Sequence, residues 1–163
     1  MKKTGVLLKK MCEYYSGDIL RINHFMKVYG FAKAIGESEK LDEKTMYILE
    51  TAAVVHDIGI KASEEKYGVS DGKYQEIEGP PIAEKMLAGL GYDKETTDRV
   101  CWLIAHHHTY SNIEALDYQI LIEADFLVNI YEDNIEQSAA ASVKDKIFRT
   151  HSGKMILENL FGV

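Results

Sequence analysis

Residues 52–59, Ala52-Ala53-Val54-Val55-His56-Asp57-Ile58-Gly59, form an apolar segment that ends in two adjacent side chains of the kind that bind metals. Together with Ile48 and Leu49 they predict a buried central helix, which Leu41-Asp42-Glu43 opens with acidic residues in its first turn. A neutral imidazole beside a carboxylate suits a borderline or hard divalent cation. Because burying two polar groups without partners is costly, the rest of the chain is expected to supply those partners.

Two further segments carry a polar residue within a helical apolar pattern. His24 lies in the first two turns of a helix predicted over residues 19–35, and Asp125 lies inside the strongly apolar helix predicted over 118–132. Buried charges are usually paired or bound to metal, and the chain has only three arginines to compete as partners of Asp125. We therefore expect His24, His56, Asp57 and Asp125 to point towards a shared centre.

Three consecutive histidines, His106-His107-His108, end a helix that begins near Asp93. At about 100° per residue they cannot all face the same way on a helix, so one or two of them can reach a shared centre. A histidine cluster that complements the helix dipole is the structural alternative. We favour the functional interpretation because a first group of potential ligands lies upstream.

The remaining segments are predicted from their glycine, proline and helix-capping residues and from their polarity. They are a short helix within residues 1–16, a mobile loop over 58–77, a helix that starts at Glu78-Gly79-Pro80-Pro81, a loop over 110–117, an exposed polar connection over 133–143, and a closing helix over 143–161 that docks on the core.

The composition bounds the class of protein. The chain has 163 residues, 46% of them hydrophobic, which suits one domain with a real core. A formal net charge of −7 argues against a binder of nucleic-acid polymers, since no basic excess is present to displace counterions. Cys12 and Cys101 have no metal-ligand spacing and are expected to be reduced thiols in a cytoplasmic protein. No stretch approaches the roughly 20 apolar residues that span a bilayer, and the N-terminal run is too short for a signal peptide.

The order His…His-Asp…Asp, carried here by His24, His56, Asp57 and Asp125, resembles the HD superfamily of metal-dependent phosphohydrolases. The apolar helix before His56-Asp57, the segment from Gly79 to Leu87 and the helix around Asp125 also fall in the expected order. The resemblance implies an all-α fold, a single compact helical domain of about six to eight helices over residues 1–163. Its core covers roughly residues 19–132, and the helix at 143–161 docks on it.

The resemblance further implies that His24, His56, Asp57 and Asp125 bind one divalent ion of manganese, iron, magnesium, cobalt, nickel or zinc. Members with two metals add histidines from the intervening segments, and His106 or His107 could serve as one. No histidine stands near Pro80-Pro81, where a two-metal member would commonly offer one, although Glu78 could substitute. We therefore prefer a mononuclear site.

The implied activity is hydrolysis of a small phosphorylated substrate, a phosphomonoester or a nucleotide, by metal-activated water. Asp57 would both ligate the ion and orient the attacking water, while Lys61 and His106 or His107 would offset charge that develops on the phosphoryl group. A solvated lysine in a loop is the equal alternative for Lys61. Two other classes stay open: a sensor that binds a metal or nucleotide without turnover, and a di-iron oxygenase of the same fold.

Overall fold

The predicted central helix is present and buried. The Asp42 carboxylate caps its N-terminus by accepting hydrogen bonds from the backbone N–H groups of Lys44 and Thr45. Every residue from 48 to 56 is buried, so the helix is surrounded by protein on all sides. Because the second half of this helix is buried on all sides, its neighbours pack around it.

A computed structural model describes residues 3–163, and within that range all regular structure is helical. Met1 and Lys2, which belong to the helix predicted within 1–16, lie outside the described residues. The helices of residues 3–163 are α1 (Thr4–Tyr14), α2 (Ile19–Ser38), α3 (Glu43–Val55), α4 (Ile60–Tyr67), α5 (Gly72–Gly89), α6 (Lys94–Ile104), α7 (Leu116–Glu132), α8 (Gln137–Ile147) and α9 (His151–Phe161).

Helices α2 and α7 position the site. Helix α2 packs against both α3 and α7, and α7 also contacts α3, so the three helices share one interior. Helix α6 packs on α3 from another side and on α5, while α1 covers α3 and α9 contacts α7. The prediction of an all-α, single compact helical domain is confirmed.

Several predicted boundaries are wrong because tertiary packing overrides local signals. The segment 58–77, predicted as a mobile loop, contains α4 and the beginning of α5. Pro80 and Pro81 lie inside α5 instead of starting it, although each proline removes one intrahelical hydrogen bond. The connection predicted at 133–143 contains most of α8, and the closing segment is divided between α8 and α9.

None of the helices in the described range 3–163 combines the length and the apolar character that crossing a membrane requires.

The turn after α3 is held by an unusually close backbone contact. A Cβ built on Gly59 would lie 2.7 Å from both the Gln75 carbonyl oxygen and the Gly79 nitrogen. Gly79 is buried, and a Cβ there would lie 2.6 Å from Ile104 Cγ2. The two glycines therefore let α5 lie directly against the turn that follows Asp57, and they fix the position of that turn.

We expect Gly59→Ala to destabilise the protein by about 1–3 kcal/mol, because the methyl group would meet backbone atoms that cannot move independently. Gly30→Ala is the matched control, since Gly30 lies within α2 and a Cβ there meets nothing within 4 Å. That change should be neutral or stabilising by up to about 1 kcal/mol. Urea unfolding monitored by circular dichroism measures both, and equal stability of the two variants would contradict the role of the contact.

Candidate metal centre

Hydrogen bonds hold His56 and Asp57, the two polar residues at the end of α3, in position. The His56 Nδ1 lies 2.9 Å from the carbonyl oxygen of Ala53 and must donate to it, because a carbonyl can only accept. In the neutral imidazole this places the lone pair on Nε2, which faces inward and is the atom that would bind a metal. The Tyr15 hydroxyl donates to the backbone carbonyl of Asp57 at 2.6 Å, and Tyr14 donates to that of Ile58 at 3.2 Å. Helix α1 thereby anchors the turn.

The four predicted ligands meet at one point. His24 Nε2 lies 3.1 Å from Asp125 Oδ1 and 3.2 Å from Asp57 Oδ2. His56 Nε2 lies 3.3 Å from the same Asp57 oxygen and 3.5 Å from the same Asp125 oxygen. The two Nε2 atoms are 3.2 Å apart. Donor atoms from α2, α7 and the end of α3 thus lie around a common centre.

The electrostatics of this centre favour positive charge. Burial lowers the pKa of His24, but hydrogen bonds with Asp125 and Asp57 outweigh it and raise the pKa to about 11. Burial likewise lowers the pKa of His56, and the Asp57 charge together with hydrogen bonds to both carboxylates raises it to about 10. Burial raises the pKa of the Asp57 carboxyl, yet the His56 charge brings it well below its usual range. The same two carboxylates would stabilise a divalent cation bound among these groups.

Glu132, at the end of α7, contacts one of the proposed ligands and was not predicted from the sequence. Its Oε2 lies 2.8 Å from His24 Nδ1, and its Oε1 lies 2.8 Å from the Lys27 ammonium group. A carboxylate accepts the Nδ1 proton and so leaves His24 Nε2 as the atom that faces the centre. The spacing held a signal, because Glu132 follows Asp125 by seven residues and so lies on the same face of α7.

The three consecutive histidines have separate roles in the structure. His106 Nδ1 donates to the Trp102 carbonyl at 2.7 Å, and its ring stacks on the Trp102 indole with centroids 4.0 Å apart. His107 Nδ1 donates to the Ile104 carbonyl at 2.7 Å, and its Nε2 lies 3.4 Å from Asp57 Oδ1. The structure therefore brings His107 to the centre and directs His106 to Trp102.

His108, which the sequence analysis left without a role, joins His107. The two rings lie with centroids 4.0 Å apart, and His108 Nε2 lies 3.1 Å from the Gln75 side-chain oxygen. Since that oxygen accepts, the lone pair of His108 is on Nδ1. Burial, with a smaller contribution from His107, lowers the pKa of His108 to about 4, which keeps the ring neutral at physiological pH.

The residues present fit a metal. His24, His56 and Asp57 each offer one ligand atom within 4.8 Å of the others, and Asp57, His107 and His108 form a second such group. Within residues 3–163, Nε2 of His107 is one of few buried side-chain polar atoms without a hydrogen-bond partner. An orphaned imidazole nitrogen beside a carboxylate is what a cation would satisfy. The donor set suits a divalent metal of unspecified identity.

Two other residues considered from the sequence lie elsewhere. Lys61 belongs to α4, where its ammonium group lies 5.5 Å from the centroid of the Tyr14 ring. Glu78 accepts hydrogen bonds from Lys66 at 2.7 Å and from the Tyr67 hydroxyl at 2.8 Å, so its carboxylate is engaged away from the centre. Helix α4, which replaces the predicted loop, carries Lys61 to Tyr14, and its residues Lys66 and Tyr67 engage the Glu78 carboxylate of α5.

The centre opens into a cleft of about 410 Å³. Its walls include His24, Asp57, His108 and Asp125 on the inside, with Arg21, Asn129, Glu132 and Asp133 further out. A larger cleft of about 630 Å³ lies beside the start of α3 and the start of α7, and no histidine lines it. The smaller cleft is therefore the candidate site.

Comparisons with known proteins agree with this geometry. The HD domain family model matches residues 21–148. Among solved structures, a predicted HD superfamily hydrolase from an uncultured Thermotogales bacterium is 26% identical, with a TM-score of 0.71 over 98% of this chain and 86% of its own. Selenomethionine-labelled YpgQ of Bacillus subtilis is 18% identical, with a TM-score of 0.67 over 96% of this chain and 87% of its own, and shows a shared fold. A comparison with curated protein sequences returned no match.

Glu132→Gln should weaken manganese binding by about 10- to 100-fold, because the amide no longer fixes the tautomer and orientation of His24 as the carboxylate does. Isothermal titration calorimetry with Mn²⁺ measures the affinity. Glu158→Gln is the matched control, since Glu158 is ion-paired with Lys144 at 2.8 Å on the far helices. Unchanged affinity in Glu132→Gln would refute a positioning role.

His107→Ala and His106→Ala test which histidine faces the centre. His107→Ala should lower the affinity or number of bound ions, because it removes a nitrogen next to Asp57. His106→Ala should leave metal binding within about twofold of the wild type, since its ring packs on Trp102. Metal content by elemental analysis, with titration of each variant, distinguishes them, and the reverse order of effects would overturn the assignment.

Proposed function

Because the chain belongs to the HD domain family, we propose that it is a metal-dependent phosphohydrolase that cleaves a phosphomonoester or a nucleotide. One observation carries the proposal: two imidazoles and two carboxylates from α2, α3 and α7 converge at the bottom of a cleft. The Thermotogales protein of similar structure is described as a predicted hydrolase, which supports the same reaction class.

The proposed ligands of the cation are His24, His56, Asp57 and Asp125. When bound, a divalent ion lowers the pKa of water and polarises a phosphoryl oxygen. Each imidazole Nε2 lies 3.1–3.5 Å from a carboxylate oxygen of Asp57 and of Asp125, and Glu132 and the Ala53 carbonyl hold the two imidazoles in the required tautomers. The protein thus supplies a preorganised set of donors.

Asp57 is the proposed catalytic carboxylate. Its Oδ2 faces His24 and His56, while its Oδ1 faces His107 at 3.4 Å. Since the two oxygens have different neighbours, one can serve the cation while the other orients an attacking water and accepts its proton. Its side chain is 17% exposed, which leaves it accessible from the cleft.

His107 is the proposed partner of the phosphoryl group, and His108 stands beside it. Both rings present nitrogen atoms near Asp57, in a place where they can contact a phosphoryl oxygen or hold a second, weaker cation. The geometry supports this role for His107 better than for His106 or Lys61, because His107 Nε2 lies 3.4 Å from Asp57 Oδ1, whereas the His106 ring stacks on Trp102 and Lys61 lies against Tyr14. His108, the neighbour of His107, lines the cleft itself.

The proposed substrate is small. A cleft of about 410 Å³ accommodates a sugar phosphate or a nucleotide, and the net charge of −7 does not suit a nucleic-acid polymer.

Cys12 and Cys101 are both free thiols. Because thiols stay reduced in the cytoplasm, we propose that compartment for the protein.

The group Asp57, His107 and His108 favours one second candidate, a di-iron oxygenase of the same fold. It provides donors for a second ion, for which the sequence indicated His106 or His107 but not His108. Two irons per chain in elemental analysis, with oxygen consumption and no phosphate release, would favour this alternative over hydrolysis.

We expect phosphate release from a panel of phosphomonoesters and nucleotides in the presence of Mn²⁺, Co²⁺ or Mg²⁺, and loss of it after chelation. Asp57→Asn should lower kcat by about 10²- to 10⁴-fold, because the amide cannot accept the proton of the attacking water. Asp98→Asn is the matched control, since Asp98 pairs with Lys94 at 2.8 Å on the exposed side of α6. No turnover by metal-saturated protein on any substrate would count against the proposal.

A further inference from the structure

The cleft that contains the metal centre has a single strongly basic side chain. Of the residues that line it within the described range 3–163, Arg21 is the only lysine or arginine. Arg21 lies in the first turn of α2, three residues before His24, so both face the same side of that helix. A phosphate ester that places its reacting phosphate at the centre therefore meets one fixed guanidinium group.

Arg21 is held firmly relative to the centre. Its Nη1 pairs with Asp18 Oδ2 at 3.1 Å, and its guanidinium carbon lies 5.9 Å from the centroid of the Tyr15 ring. Tyr15 in turn donates its hydroxyl proton to the backbone carbonyl of Asp57. Tyr15 thus contacts both the Arg21 guanidinium and the backbone at Asp57, and it holds the two in a fixed relative position.

The second ion pair of Arg21 is the one that a ligand can replace. Its Nη2 contacts Glu64 Oε1 across from α4, and the Glu64 side chain is 42% exposed. A guanidinium has five N–H donors, more than Asp18 and Glu64 engage through Nη1 and Nη2. The Arg21–Glu64 pair also borders an adjoining cleft of about 300 Å³, into which a displaced carboxylate can move.

The other side of the cleft does not favour an additional anion. Glu132 and Asp133 line it, and the Lys27 ammonium group on that side is already paired with Glu132 at 2.8 Å. A second negative group of the substrate would meet carboxylates there. Arg21 is also paired, with Asp18 and Glu64, but it lines the cleft and has more N–H donors than these two pairs use, whereas Lys27 does not line it. A doubly anionic ligand is therefore expected to turn its second charge towards Arg21.

We propose that Arg21 binds a second anionic group of the substrate, so that the site prefers small phosphate esters that carry a further carboxylate or phosphate. This inference rests on the proposed function, because it takes the metal centre as the place of the reacting phosphate. The fork of Arg21 forms two parallel hydrogen bonds with a carboxylate or phosphate, which a lysine cannot reproduce.

The test uses two ligands that differ only in the second charge and contain no hydrolysable ester bond. Propylphosphonate ends in a methyl group, and 3-phosphonopropionate ends in a carboxylate at the same position. Isothermal titration calorimetry of the manganese-loaded full chain should give an affinity about 10- to 100-fold higher for 3-phosphonopropionate, the usual range for a hydrogen-bonded charge pair.

Arg21→Gln should abolish this preference and leave the affinity for propylphosphonate within about twofold, whereas Arg21→Lys should keep part of it. Lys66→Gln is the matched control: it removes an ion-paired cation of α4 that does not line the cleft, and the preference should persist. Circular dichroism confirms that each variant is folded, and Arg21→Lys remains informative if Arg21→Gln does not fold.

No preference in the wild type, or an equal loss for both ligands in Arg21→Gln, would overturn the inference, because a purely structural arginine affects both alike. Since the ligands are not hydrolysed, this result is independent of turnover. Absence of phosphate release from esters would reject the hydrolase while leaving the binding preference measurable.

Discussion

The pairing of Asp57 and Asp125 with the imidazoles of His24 and His56 places four ionisable groups where water is largely excluded. His56 is completely buried, and Asp125 is 5% exposed. An isolated carboxylate in such surroundings would cost several kcal/mol, so each group depends on the others or on a cation for its charge to be tolerated. The packing of α2, α3 and α7 is constrained by this requirement, since a small shift of any helix would separate a charge from its partner.

The orientation of the histidines follows from a simple property of helix ends. The last carbonyl groups of a helix have no intrahelical partner. His56 uses one at the end of α3, and His106 and His107 use others at the end of α6, each through its Nδ1 proton. The same hydrogen bond thus satisfies an orphan carbonyl and selects the tautomer in which Nε2 carries the lone pair. His24, in the body of α2, has no such carbonyl available, and Glu132 fulfils the task from α7.

Elements outside the three central helices also contribute to the site. Helix α1 anchors the turn after α3 through the hydroxyl groups of Tyr14 and Tyr15, while Gly59 and Gly79 allow α5 to lie against that turn. Gln75 of α5 lies within hydrogen-bond distance of His108, and Glu64 of α4 pairs with Arg21. The N-terminal helix and the segment 58–77 are thus parts of the scaffold that surrounds the cleft.

The sequence alone determined the buried helix α3, because the apolar run Ala52-Ala53-Val54-Val55, with Ile48 and Leu49 before it, leads directly to His56 and Asp57. It also indicated Asp125, since a charged residue inside an apolar helical pattern requires a partner whatever the fold, and it indicated His24 only through the order of the motif that includes His56, Asp57 and Asp125. It could not identify Glu132 as the partner of His24, because that contact joins residues 108 positions apart and depends on how α2 packs against α7.

Only the tertiary structure decided which of the three consecutive histidines faces the centre. Helix α6 ends at Ile104, so their directions follow a turn and not a helical period, and stacking on Trp102 takes His106 away. Helix α4 likewise carries Lys61 to Tyr14, where the sequence had indicated a loop. Local patterns specify which groups must be buried together, while the packing of distant segments determines the direction in which each side chain points.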